Sequence, residues 1–108
     1  MMRVDRPIGE TERLVKDAMR AAGIADRKIG RDARGRIEGV KTAISVTGIV
    51  LADIATLPER NDSCHVCIVG RYNSRSQIPS LLGRQSPKIT EEVRSTLRGK
   101  AGNDLTVL

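Results

Sequence analysis

The sequence of 108 residues contains no Trp and no Phe, and Tyr72 is its one aromatic residue. An aromatic side chain buries about 150–250 Å², so a core built only from aliphatic side chains is thin for this chain length. We expect such a domain either to be marginally stable or to gain buried area by self-association, and a homodimer is our hypothesis. Recognition of single-stranded nucleic acid, which stacks bases on aromatic side chains, is disfavoured.

Long apolar runs are also missing. The longest, Gly48 to Ala52, is far shorter than the roughly 20 residues of a membrane span, and the first residues lack the apolar stretch of a secretory signal. We therefore expect no membrane partner and a cytoplasmic location, where the thiols of the single CxxC pair stay reduced. Length and composition predict one small basic domain over residues 1–108, with frayed termini at 1–8 and 101–108.

Few residues could carry catalysis or bind a metal. Cys64, His65 and Cys67 lie together, but structural zinc needs four ligands, and on a strand the two thiols would point to opposite faces. His65 is the one histidine, and the sequence places neither a nucleophile nor an orienting partner beside it. We expect no enzyme, no cofactor and no metal; an enzyme centred on these three residues is a disfavoured hypothesis.

The net charge of +6 is concentrated in two segments. Residues 26–41 hold six basic against three acidic residues, and residues 71–100 hold seven against two, while the segment between them is apolar and slightly acidic. If the fold brings the two segments together, they form one cationic face that attracts phosphates. The residues predicted to bind nucleic acid are Arg27, Lys28, Arg31, Arg34, Arg36, Arg71, Arg75, Arg84, Lys88, Arg94 and Arg98.

An N-terminal helix is predicted over residues 10–22. Its apolar residues recur at helical spacing and form one stripe. Gly23 stands where a helix commonly ends in a left-handed residue. The members of the stripe are Leu14, Val15, Ala18, Met19 and Ala22.

A C-terminal helix is predicted to begin at Ser86 as N-cap, with Pro87 in the first turn. Ile89, Val93 and Leu97 form its apolar stripe, and Gly99 is expected to end it. A helix-turn-helix over residues 76–99 is a weaker interpretation, because Pro79 would lie inside its first helix at a cost of about 3 kcal/mol.

A small antiparallel sheet is predicted across residues 28–72. Asp32 to Gly35 has the composition of a turn, and Ile29 and Ile37 flank it as in a short hairpin. Residues 40–57 alternate apolar and polar side chains, which predicts strands broken or bulged at Gly48. The apolar face of this pattern comprises Val40, Ile44, Val46, Val50, Ala52 and Ile54, and the opposite face comprises Lys41, Ser45, Thr47 and Asp53. A helix over 40–57, which would make the protein all-α, is the alternative. Residues 64–72 are predicted to pair with residues 49–57.

These patterns together predict an α+β domain, in which an N-terminal helix and a C-terminal helix pack on a small antiparallel sheet. The function that we expect is a non-catalytic nucleic-acid-binding or regulatory protein with a basic surface. The alternative is a small protein-interaction module, an inhibitor or adaptor, that binds and blocks an acidic surface on a larger partner.

Overall fold

The computed structural model describes residues 1–43, 46–74 and 85–108, with side chains described outside 43–46 and 72–87. It confirms the predicted α+β fold. Short 3₁₀ turns at Asp26–Lys28 and Gly102–Asp104 precede the second and the last strand. In chain order the elements are β1 (Met2–Val4), α1 (Ile8–Ala21), β2 (Ile29–Arg31), β3 (Ile37–Ala43), β4 (Val46–Leu57), β5 (Arg60–Ser74), α2 (Gln85–Ala101) and β6 (Leu105–Val107).

The strands form one antiparallel sheet in the order β2-β3-β4-β5-β1-β6. From β2 to β5 each strand pairs with the next along the chain, and β1 and β6 add beyond β5. The predicted pairing of residues 64–72 with 49–57 is confirmed and is longer than expected, since it runs from Val46↔Ser74 to Leu57↔Arg60.

Both helices pack on one face of the sheet. A Cβ added to Gly39 of β3 would meet Met19 of α1, and one added to Gly48 of β4 would meet Ile89 of α2. We call this face the helix side and the opposite one, which no helix of the described residues covers, the open face. The core on the helix side is aliphatic and includes the fully buried residues Val4, Val15, Met19, Ile37, Val50, Val66, Val93 and Leu97.

The expected fraying of the termini is wrong for both ends of the chain. Met2 and Val4 are buried in β1, which pairs with β5 on one side and with β6 on the other. The Leu108 N–H donates to the Met1 carbonyl at 3.0 Å, which ties the two ends together. Three-residue strands are too short to show an alternating pattern, so the sequence gives no signal for them.

The helix α1 confirms the predicted N-terminal helix. Val15, Ala18 and Met19 of the predicted stripe are fully buried. Gly23 has φ +91° and its N–H donates to the Arg20 carbonyl at 3.0 Å, so it ends the helix as expected.

The predicted hairpin is formed by β2 and β3. Its turn is closed by the Gly35 N–H, which donates to the Asp32 carbonyl at 3.0 Å, and Gly35 has the positive φ of +81° that the turn needs.

Residues 40–43 and 46–57 form strands, so the helical alternative is wrong. The break expected at Gly48 is also wrong, because Gly48 lies inside β4 beneath Ile89 of α2. Residues 44 and 45, between β3 and β4, lie outside the described residues.

Even-numbered residues of β4 face the helix side, whereas even-numbered residues of β3 face the open side. The single alternating pattern did not predict this difference. Val50 and Ala52 of β4 are buried in the core as expected. In β3, however, Lys41 points to the helix side, where its Nζ donates to the Ala22 carbonyl at 3.2 Å, and the preceding Val40 therefore faces the open side. The chain reverses between the strands, so one alternation does not continue through both.

The helix α2 confirms the predicted C-terminal helix, and Ile89, Val93 and Leu97 of its stripe are buried. It begins at Gln85, so Ser86 lies inside the helix and is not its N-cap. It continues through Gly99 to Ala101, so the predicted end is wrong; Gly102, with φ +57°, follows the last helical residue. The first half of the helix-turn-helix interpretation, including Pro79, lies outside the described residues. Among the described residues, no helix is both long enough and apolar enough to cross a membrane.

Candidate nucleic-acid interface

The predicted nucleic-acid-binding residues that the structure describes lie in three places. One group is at the β2 edge of the sheet, one is on α2, and Arg71 stands apart on β5. Arg75 and Arg84 lie outside the described residues. The edge group comprises Arg27, Lys28, Arg31, Arg34 and Arg36, and the α2 group comprises Lys88, Arg94 and Arg98.

Two members of the edge group form ion pairs. The Arg31 guanidinium lies 2.8 Å from the Glu12 carboxylate of α1, so the Arg31 side chain lies on the helix side of the sheet. The Arg36 Nε lies 2.7 Å from Asp32 across the turn. The Arg31–Glu12 pair is partly exposed, and surface pairs contribute only about 0.2–1 kcal/mol, so a phosphate can compete with Glu12 for Arg31.

The other three members of the edge group are exposed and form no ion pair with any described residue. They are the cations of the edge that are free to meet an anionic partner. They are Arg27 and Lys28, in the 3₁₀ turn before β2, and Arg34, in the hairpin turn.

Asp32 organises the turn that holds these arginines. Its carboxylate accepts from the backbone N–H of Arg36 at 2.8 Å, from that of Arg34 at 3.0 Å, and from the Arg36 Nε at 2.7 Å. Desolvation on its own would raise the pKa of Asp32, but the hydrogen bonds from Arg36 and Arg34 outweigh it, so the pKa lies below its ordinary value. Asp32 therefore stays ionised and neutralises Arg36.

In the α2 group, Arg94 has a structural contact. Its guanidinium donates to the Ile68 carbonyl of β5 at 2.6 Å and lies 3.7 Å from Glu91. It therefore joins α2 to an edge carbonyl of β5. The side chains of Lys88 and Arg98 are exposed and, within the described part of the chain, unpaired.

Lys88 stands beside a groove between the two helices. The groove has a volume of about 510 Å³ and is lined by one cation, two carboxylates and small side chains. Glu91 and Glu92 reduce the positive potential around Lys88, and Arg98 lies nearer the other end of α2. The lining residues are Ala21, Ala22, Lys88, Glu91, Glu92, Ser95 and Thr96.

The edge group and the α2 group flank α1 on the helix side. Arg31 contacts α1 from the β2 edge, and α2 packs against α1 from the side of β5. Arg98 lines a cleft with Met1 and Val107, so this end of α2 lies near the β1–β6 edge of the sheet. The edge group and α2 thus lie on either side of α1.

The residues predicted from the sequence to bind nucleic acid include none of the cations of α1. Arg13, Lys16 and Arg20 recur at i, i+3 and i+7, which places them along one face of the helix. Arg20 bonds to Asp26 at 2.7 Å and to Asp17 at 2.6 Å, and these carboxylates raise its pKa.

Arg13 is exposed and has no ion pair among the described residues, so it joins the cations of the helix side. Arg13 was not predicted because residues 1–25 carry nearly equal numbers of basic and acidic side chains. Helical spacing was the signal that could have found it.

Arg71 is not brought together with the other cations. It pairs with Ile49 of β4 and its side chain points to the open face, because its neighbour Gly70 pairs with the core residue Val50. Arg71 therefore stands on the opposite side of the sheet from Lys88 and Arg98.

The two thiols point to opposite faces, as expected for a strand. Cys64 is fully buried on the helix side, with its Sγ 3.5 Å from the Arg6 carbonyl, and Cys67 is half-buried on the open face. No group of three or more potential metal ligands occurs among the residues that the structure describes.

Comparison of the chain with models of protein families, with curated proteins and with solved structures gives no match. The functional proposal therefore depends on where the fold places its charged side chains.

Proposed function

We propose that this protein is a non-catalytic nucleic-acid-binding protein whose helix side contacts the phosphate backbone of a duplex. One observation carries the proposal: the β2 edge, whose Arg27, Lys28 and Arg34 are exposed and unpaired among the described residues, and α2, which bears Lys88 and Arg98, lie on either side of α1. Arg13 of α1 lies between the two groups. Neutralising phosphates with such cations releases condensed counterions, which drives binding without sequence-specific contacts.

A duplex suits this surface better than a single strand. The two cationic groups lie toward opposite edges of the sheet, because the edge group is at β2 and Arg98 lines a cleft with Met1 and Val107. The extended backbone of a duplex offers phosphates over such a span. Single-strand binding by base stacking would need aromatic platforms, and the chain has one aromatic residue.

Fluorescence anisotropy with a labelled DNA duplex and an RNA duplex of about 20 base pairs tests the proposal. Titrations between about 50 and 200 mM salt should give a log–log slope of about −0.9 for each DNA phosphate contacted. Arg13→Ala and Arg98→Ala should each weaken binding to any sequence and reduce the steepness of that slope by about one contact.

The matched control is Arg60→Ala, an exposed arginine at the turn between β4 and β5, away from α1 and α2. It should bind like the unmodified protein. An affinity that does not change with salt, or that falls as much in the control as in Arg13→Ala and Arg98→Ala, would overturn the proposal. Absence of duplex binding would do the same and would favour an acidic protein surface as the partner.

A further inference from the structure

The open face of the sheet carries apolar side chains at its centre. Leu51 of β4 is only 3% exposed although no described element covers it, whereas its cross-strand neighbour Val69 is 45% exposed. Val40, Ile49 and Cys67 surround them and are half-buried. We call Val40, Ile49, Leu51, Cys67 and Val69 the open-face patch.

Two opposite charges flank the centre of this patch at equal distances. Arg71 lies two residues from Val69 along β5, and Asp53 lies two residues from Leu51 along β4, on the other side of the Leu51–Val69 pair. About 13 Å of strand separates the rows in which they lie, which is too far for an ion pair within one chain. Both side chains are exposed, and neither forms an ion pair with a described residue.

We propose that the open face binds a second copy of this chain, with the two sheets packed face to face. The twofold axis lies between the sheets and crosses the strands at Leu51 and Val69. A twofold axis repeats every contact, so Arg71 of each copy meets Asp53 of the other. Sheets stacked about 10 Å apart then bring Ile49 and Val69 of both copies together, while Leu51 is already buried within each chain.

The charges of the face favour a second copy over another partner. A rotation about this axis exchanges the row of Arg71 with the row of Asp53, so the face is complementary to itself. The dimer also buries apolar area that a core without Trp or Phe cannot supply. Both helix sides point outwards in this arrangement, so the dimer does not depend on the proposed duplex binding.

One residue opposes this arrangement and gives a specific test. Glu38 pairs with Leu51 and lies on the axis row, so it would face Glu38 of the other copy at the rim. Glu38→Gln removes that repulsion and should therefore tighten the dimer.

Sedimentation equilibrium over a range of protein concentrations tests the proposal. Arg71→Asp and Asp53→Arg should each weaken the dimer about tenfold or more, because each places like charges opposite one another twice. An equimolar mixture of these two variants should form a heterodimer with both ion pairs restored. Arg60→Asp makes the same charge change outside the face and should leave the dimer unchanged.

A second measurement follows the covered face itself. Labelling of Cys67 by a thiol reagent should slow as the dimer fraction rises, and Val69→Lys should remove that dependence while its circular dichroism stays native. A protein that is monomeric at every concentration would overturn the proposal. So would a dimer that Arg71→Asp, Asp53→Arg and Val69→Lys all leave intact.

Discussion

Gly39 of β3 lies directly beneath Met19 of α1. A Cβ built on Gly39 would stand 2.9 Å from the Met19 Sδ and 2.8 Å from the Ile24 Cδ1, both closer than real Cβ atoms approach. Met19 and Ile24 are 0% and 2% exposed, so neither side chain can move into solvent. The absence of a side chain at Gly39 therefore sets how closely α1 packs on the sheet.

Gly39→Ala should destabilise the protein by about 1–2 kcal/mol, because the added methyl group overpacks a closed part of the core. Urea unfolding followed by circular dichroism measures the change. Gly30→Ala in β2, where an added Cβ meets nothing within 4 Å, is the matched control and should stay within about 0.5 kcal/mol. An equal loss in the two variants would show that contact with Met19 and Ile24 is not the cause.

Elements that repeat a pattern over several turns or several strand residues could be predicted from the sequence. The stripes of α1 and α2 are of this kind, and Val15 and Val93 lie in the core as helical spacing requires. The strands β1 and β6 could not be predicted, because three residues are too few for a period. Their pairing, such as Met2 with Val107, joins residues from opposite ends of the chain.

The end of α2 gives a test in which two glycines of one helix should behave oppositely. Gly99 lies inside the helix, so Gly99→Ala should stabilise the protein by about 0.5 kcal/mol by restricting the unfolded chain. Gly102 has φ +57°, so Gly102→Ala should destabilise it by about 1 kcal/mol through backbone strain. An added Cβ meets no atom within 4 Å at either position, which leaves conformation as the difference. Thermal unfolding of both variants measures the change in stability. A loss for Gly99→Ala with a gain for Gly102→Ala would indicate that the helix ends at Gly99.

The candidate interface was only partly visible in the sequence. The two basic segments are evident as runs of charge, but the side of the sheet to which each cation points depends on strand phase. Arg31 and Arg71 both lie on strands, yet Arg31 reaches α1 on the helix side and Arg71 faces the open side. The pairing of Arg36 with Asp32 and of Arg31 with Glu12 also required the hairpin and the helix to be placed in space.

Leu97→Ala should be among the most damaging core substitutions. Leu97 is fully buried in α2, and removing its side chain should cost about 2–5 kcal/mol in lost burial and residual cavity. That is a large part of the 5–15 kcal/mol typical of a small domain. Urea unfolding measures the loss, with the exposed Ser95→Ala on the same helix as a control within about 0.5 kcal/mol. A loss below about 1 kcal/mol at Leu97 would mean that α2 is not essential to the core.

Asp32→Asn should reveal a pH-dependent contribution of the hairpin turn. Hydrogen bonds from Arg36 and Arg34 lower the pKa of Asp32 in the folded protein, so its ionised form stabilises folding above the ordinary pKa of about 3.9. That contribution is lost as the pH falls through the lowered pKa, when Asp32 is protonated in both states.

The variant keeps an acceptor for the backbone N–H groups but lacks the charge that pairs with Arg36, so its melting temperature should lie below that of the unmodified protein at neutral pH. The gap should shrink as the pH falls below about 4. Asp62→Asn, an exposed carboxylate on β5 without an ion pair among the described residues, is the control and should show no comparable convergence. A gap between Asp32→Asn and the unmodified protein that is the same at every pH would mean that the ionisation of Asp32 contributes nothing to the turn.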